Sequence, residues 1–288
     1  MQYLIIISAL IFILWYFRQR KKQNTLPENY INMYIIFSEP PVLDCEMVAQ
    51  KFKQMWKSEA ACGPAENLGA LPEGDRSYII GNGTHNLRII TSQNKLPEAL
   101  INIAAASEHG KAVDEIFAIR NHKGFIAIDY LLGPNEASPR VEFSARVLLI
   151  LAALKGSLGY FNISAVLFRP RAAIERFMDR VELTPEDLYY LFSNVHTVLD
   201  NGTNWMHTHG LEQFGVPDLE ARYNNTEDDQ YYLRIISNGA IYMLVKGPIL
   251  KPGNTAELGG DGTIFKIKSA KYEADHPFGA MGCLEIVR

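Results

Sequence analysis

The chain is poor in the features that usually betray a reaction. Its three cysteines, Cys45, Cys62 and Cys283, are an odd number, far apart and without a CxxC pair, so neither a disulfide framework nor a cysteine zinc site is expected. No GxSxG elbow, Walker loop or HExxH helix occurs, which removes the commonest hydrolase and nucleotide-handling signatures. There is no excess of positive charge. The net charge is −4, and Arg18, Arg20, Lys21 and Lys22 cluster beside one apolar run, so the rest of the chain is more acidic still. Such a body argues against nucleic acid as a partner, because a phosphate backbone has to be neutralised by Lys and Arg. Internal repeats and compositionally biased tracts are missing as well. With 288 residues, 48% of them hydrophobic, the chain has the length and apolar content for one large or two modest packed domains.

What is present begins with Met1 to Phe17, an uncharged run. As a helix it would extend about 25 Å, the short end of a bilayer span. Trp15, Tyr16 and Phe17 supply an interfacial aromatic belt, and the basic cluster follows directly. With no Lys or Arg ahead of the run, the positive-inside rule predicts a single-pass cell-membrane anchor with residue 18 onward in the cytoplasm. A cleaved signal peptide would want the opposite order of charge and small residues at a cleavage site. Residues 18–32 form a basic, polar tether. Four glycosylation triplets begin at Asn82, Asn162, Asn201 and Asn224 and have meaning only in a secretory lumen.

After the tether, residues 33–170 and 171–288 read as two α+β halves. Met33–Ser38 is a buried strand. Asp44 caps a helix through about Lys57, with Val48, Phe52, Met55 and Trp56 on one face and Cys45 at its start. Cys45 is expected to be an inert, half-buried thiol. A hairpin is expected around Gly81–Asn86, with Asn82-Gly83 as its turn. Its glycines do not make a dinucleotide fingerprint, because the third glycine is missing and a strand follows. Helices are expected from Pro97 to Glu108 and Lys111 to Asn121, then a central strand Phe125–Leu132 and a buried helix Val141–Leu154. A strand at Ile163–Phe168 and helices Ala172–Asp179 and Thr184–Val195 come next. Strands at Trp205–His209 and Leu219–Tyr223 precede a helix Asp228–Lys246, a glycine turn at 259–262, a strand Thr263–Lys268 and a closing edge strand Ala280–Val287. The fold class is α+β, with mixed sheets packed against helices.

Candidate function concentrates in Trp205-Met-His-Thr-His-Gly-Leu-Glu-Gln-Phe-Gly-Val-Pro-Asp-Leu-Glu220. Together, Tyr34-Ile-Ile-Phe-Ser-Glu-Pro-Pro-Val-Leu-Asp44 and His209-Gly-Leu-Glu-Gln-Phe-Gly-Val-Pro-Asp-Leu-Glu220 resemble a bacterial family known as a domain of unknown function, over roughly residues 33–265. That resemblance implies an α+β domain and assigns no activity. The stretch supports three readings. In the first, strand geometry sets alternate side chains about 6.6 Å apart on one face, so His207 and His209 could share a metal. With Glu220 they resemble the JAMM metalloprotease motif, which implies zinc. Gly210, Pro217 and Glu220 stand where that motif carries proline, serine and aspartate. In the second, Gly210, Gly215 and Pro217 shape a turn that Leu211, Phe214, Val216 and Leu219 anchor in a core. In the third, Asp218, Glu220, His207 and His209 line a groove for a protein or small ligand. His85, His109, His122, His196 and His276 have no ligand-like spacing. The expectation is a membrane-anchored binding or accessory protein without a cofactor, with a zinc-dependent hydrolase as the alternative.

Overall fold

The computed structural model describes residues 31–65, 71–106, 113–224, 226–270 and 281–288. The expected anchor, nearly all of the tether, His109 and His276 lie outside these residues. Among the described residues no helix is long and apolar enough to cross a membrane.

The architecture is α+β, with two sheets and seven helices among the described residues. The first sheet is built from β1 (Asn32–Phe37), β2 (Ala61–Pro64), β3 (Arg76–Gly81), β4 (Asn86–Ser92), β5 (Gly124–Leu132), β6 (Ser157–Asn162) and β7 (Leu167–Pro170). Its order is β2-β3-β4-β5-β1-β6-β7, and every neighbouring pair is antiparallel. The second is built from β8 (Asn194–Asp200), β9 (Thr203–His209), β10 (Asp218–Asn224), β11 (Thr255–Glu257), β12 (Ile264–Ser269) and β13 (Cys283–Val287), in the order β11-β12-β13-β10-β9-β8.

Side-chain caps begin three of the seven helices. Asp44 accepts hydrogen bonds from the N–H groups of Glu46 and Met47 and so begins α1 (Cys45–Trp56), whose Val48, Phe52 and Trp56 are buried. Helices α2 (Glu98–Ala106) and α3 (Val113–Asn121) cover one face of the first sheet. Ile101, Ala104 and Ile119 there meet Ile36, Phe161 and Phe168 in a satellite core. The other face carries α4 (Ala137–Ala152), in which Val141 and every residue from Val147 to Ala152 are buried. The length of that run and its charged flanks are what make it a core helix. It lies against β1, β5 and β6 on one side and against α5 (Arg171–Met178) and α6 (Pro185–Phe192) on another. One continuous core joins Ile35, Phe52, Ile128 and Leu148 to Leu219, Ile236, Phe265 and Ile286. Helix α7 (Asp229–Lys246), capped by Asp228, packs on β9 and β10. It comes close to the sheet at Gly239, where a Cβ would stand 3.0 Å from Leu219 Cδ1.

Four expectations are corrected. Ile163–Phe168 is a turn leading into β7: Asn162 Oδ1 accepts from the Ala165 N–H, and Val166 adopts φ 46°. The helix expected to reach Val195 stops at Phe192, where Ser193 becomes extended and its hydroxyl donates to the Tyr189 carbonyl. β13 is an interior strand between β12 and β10, parallel to β10. Finally, Cys45 and Cys62 form a disulfide, with Cα atoms 4.9 Å apart. Spacing along the chain could not reveal it, because the bond joins the first turn of α1 to the sheet edge β2.

Candidate functional site

The turn between β8 and β9 is Asn201-Gly202, both with positive φ (48° and 82°), the type I′ geometry that matches strand twist. From it the register runs Asp200↔Thr203, Val198↔Trp205, His196↔His207, Asn194↔His209. On the other side of β9, Glu220 pairs with His207 and Arg222 with Trp205. Cross-strand partners share a face. One face of the second sheet therefore carries His196, His207, His209, Trp205, Glu220 and Arg222. Trp205 stacks on His207 at 4.1 Å between ring centroids, and the Arg222 guanidinium lies 5.1 Å from the Trp205 ring. Trp205 Nε1 donates to Glu220 Oε2 at 2.9 Å. His207 Nε2 and His209 Nε2 are 3.1 Å apart, and the His196 ring sits 4.9 Å from that of His209.

Beyond His209 the chain turns sharply. Gly210 has φ 99°, and a Cβ there would stand 2.4 Å from the Phe192 carbonyl oxygen. A 3-10 turn, Leu211–Phe214, follows and ends at Gly215 with φ 71°. Gln213, fully buried, donates to the carbonyls of Phe192 and Gly210 and accepts from Asn162 of β6, tying the turn to the first sheet. The turn closes on Asp218. Its Oδ1 accepts from Thr208 Oγ1 at 2.8 Å and from the Leu211 N–H at 3.2 Å, while Thr208 Oγ1 accepts from the Leu219 N–H. Burial pushes the Asp218 carboxyl up to about 8; the two hydrogen bonds oppose the shift, and the Glu212 charge adds to it.

The structure thus brings His207, His209 and Glu220, all buried, onto one face and makes Asp218, also buried, the hub of the turn. The carboxylate expected to complete a metal site is bonded to Trp205. Among the described residues no group of three or more His, Cys, Asp or Glu is set to hold a metal ion. Sequence reasoning passed over His196, Asn194 and Gln213. His196 was findable: Asn201-Gly202 is itself a hairpin signal, and His196 and His207 are equidistant from it. His85 and His122 are hydrogen-bonded core residues. His85 Nδ1 lies 2.7 Å from the Tyr130 hydroxyl, and His122 Nε2 accepts from the Leu96 N–H; burial lowers the pKa of both. Between α7 and the β11 segment, a groove of about 810 Å³ is lined by Asn238, Tyr242, Leu250, Thr255 and Leu258.

A family model described as a domain of unknown function (DUF4261) matches residues 207–281. The match opens on His207 and takes in the glycine turn, β10, α7, β11 and β12; the Tyr34–Asp44 segment lies outside it. No curated protein and no solved structure matches the chain.

Proposed function

We propose that this is a membrane-anchored binding or accessory protein whose recognition surface is the polar face of the second sheet. The observation that carries this reading is the alignment of three imidazoles, Trp205, Glu220 and Arg222 on one face by a tight hairpin. Asp218 and Gln213 hold the adjoining turn rigid. Positioned aromatic and charged groups of this kind serve recognition. His196 and Arg222 form its accessible rim, and His207, His209 and Glu220 its floor. The test is capture of a partner from native membranes by the full chain, with cross-linking to locate it. Loss of the partner on H196A/R222A, but not on D218N inside the turn, is the expected result; cross-links that avoid this face would overturn the reading.

The second reading, a zinc-dependent hydrolase using His207, His209 and Glu220, is favoured by one observation: two imidazole Nε2 atoms 3.1 Å apart. Stoichiometric zinc in the purified protein, lost in H207A and in H209A, would restore it over the binding reading.

The anchor rests on Met1–Phe17, and the cytoplasmic placement on the basic cluster after it. The Cys45–Cys62 disulfide is of a kind that persists in oxidising compartments. On the cytoplasmic side this pair is expected to be reduced in living cells. Thiol labelling of intact and permeabilised cells before lysis decides the orientation: blocked Cys45 and Cys62 would place the body on the opposite side.

A further inference from the structure

The two sheets have four edges among the described residues, and three are guarded. β2 and β7 are four residues long and carry Pro64 and Pro170, and β11 is three residues long. Short strands and prolines are the ordinary means by which proteins stop an edge from pairing with another chain. β8 is different. It has seven residues, no proline or lysine, and an unbroken register with β9, and it exposes Val198 (45%) and Leu199 (64%).

The direction of its backbone groups follows from the turn. In a two-residue hairpin the closing pair, here Asp200 and Thr203, exchanges hydrogen bonds, and alternate residues do the same. Asp200, Val198 and His196 therefore turn their N–H and C=O groups to β9. Leu199, Thr197 and Val195 turn theirs outward. The Val195 N–H is already taken by the Asn194 side chain at 3.0 Å, which closes the edge at that end. The groups left to pair belong to Thr197 and Leu199.

We infer that β8 is a self-association edge, on which a second copy of this chain adds its own β8 antiparallel about a two-fold axis at Val198. This register uses both outward residues, each Thr197 facing Leu199 of the partner subunit. It also sets Asp200 of the partner subunit opposite His196, so unlike groups meet and no carboxylate faces another. A two-fold at Thr197 would instead need the occupied Val195 N–H. The apolar Val198 pair is covered, and the two sheets join into one. The partner thereby contributes a residue to the histidine face, which becomes continuous across the dimer.

The test uses the full purified chain. Val198 on the axis falls in a non-hydrogen-bonded pair, with Cα atoms about 4.5 Å apart, within disulfide reach. V198C is expected to form a disulfide-linked dimer under mild oxidation, far faster than V245C on α7, a comparably exposed position (53%). L199P removes an outward N–H that β9 does not use. It should weaken the dimer at least roughly tenfold in sedimentation experiments with an unchanged circular dichroism spectrum. A chain that stays monomeric at all concentrations, with V198C no faster than V245C, would overturn the inference. So would a dimer untouched by L199P, or coverage of β8 by another segment of the same chain.

Discussion

Asp129 and Asp218 are both buried aspartates in strands, 4% and 2% exposed, and the two sheets satisfy them by different means. Asp129, in the middle of the first sheet, is held by charge: Arg88 on β4 reaches its Oδ2 with Nε at 3.0 Å and Nη2 at 2.6 Å, and Asn32 on β1 donates to Oδ1. Asp218, in the second sheet, receives a hydroxyl and a backbone N–H, both neutral, and the nearby Glu212 opposes its ionisation. The Arg88 guanidinium ties Asp129 into the sheet through one oxygen. Beside neutral donors a buried carboxylate is favoured as an acid, because desolvation then outweighs hydrogen bonding. The first arrangement cross-links β1, β4 and β5; the second shapes a turn.

Removing the cation is the harshest way to break this contrast. R88A leaves Asp129 buried with Asn32 as its donor and should cost about 3–5 kcal/mol in denaturant unfolding. R88A/D129N should recover much of that loss. Next is the turn that brings the Leu211 N–H to Asp218. G210A puts a Cβ against the Phe192 carbonyl at a positive φ and is expected to cost about 2–4 kcal/mol in the same measurement. A smaller effect, and a sharper one, comes from D218N. Since the folded carboxyl titrates at about 8, above its ordinary value, its contribution to stability is complete below about pH 4 and is lost as the pH rises through 8. The wild type should therefore weaken over that window. D218N keeps an oxygen to accept from Thr208 and Leu211, so it should remove that slope and be the more stable protein at pH 8 by on the order of 1–3 kcal/mol. Thermal melts from pH 4 to 8 check this. The smallest effect is W205F, which deletes the hydrogen bond to Glu220 while keeping an aromatic ring against His207. A loss of about 1–2 kcal/mol is expected, read from urea midpoints.

Legibility in the sequence divides along the same line. Helix α1 was readable from Asp44 and the spacing of Val48, Phe52 and Trp56, and α7 from Asp228. The β3–β4 hairpin was readable from Asn82-Gly83, because each of these features is decided within a few residues. The turn after His209 was readable too, in Gly210, Gly215 and Pro217. The first two residues of β8, Asn194 and Val195, were taken into the preceding helix and the rest of the strand was not foreseen; what stops that helix is the extended turn at Ser193, held to the last turn of α6. β13 was read as an edge strand because its second neighbour, β10, is distant in the chain and pairs with it in parallel. At the candidate site, His207, His209 and Glu220 were visible as residue types. That Glu220 serves Trp205, and that His196 joins the pair, depended on cross-strand register.

By itself the sequence determined where helices begin, where hairpins turn and which runs are buried, since these follow from side chains acting on their own backbone and from apolar periodicity. Only the tertiary structure decided which strands lie side by side, that Cys45 meets Cys62, and that Asp129 finds a guanidinium where Asp218 finds a hydroxyl. The reason is physical: backbone ladders between distant strands use groups that every residue possesses, so strand order is set by how the whole core closes.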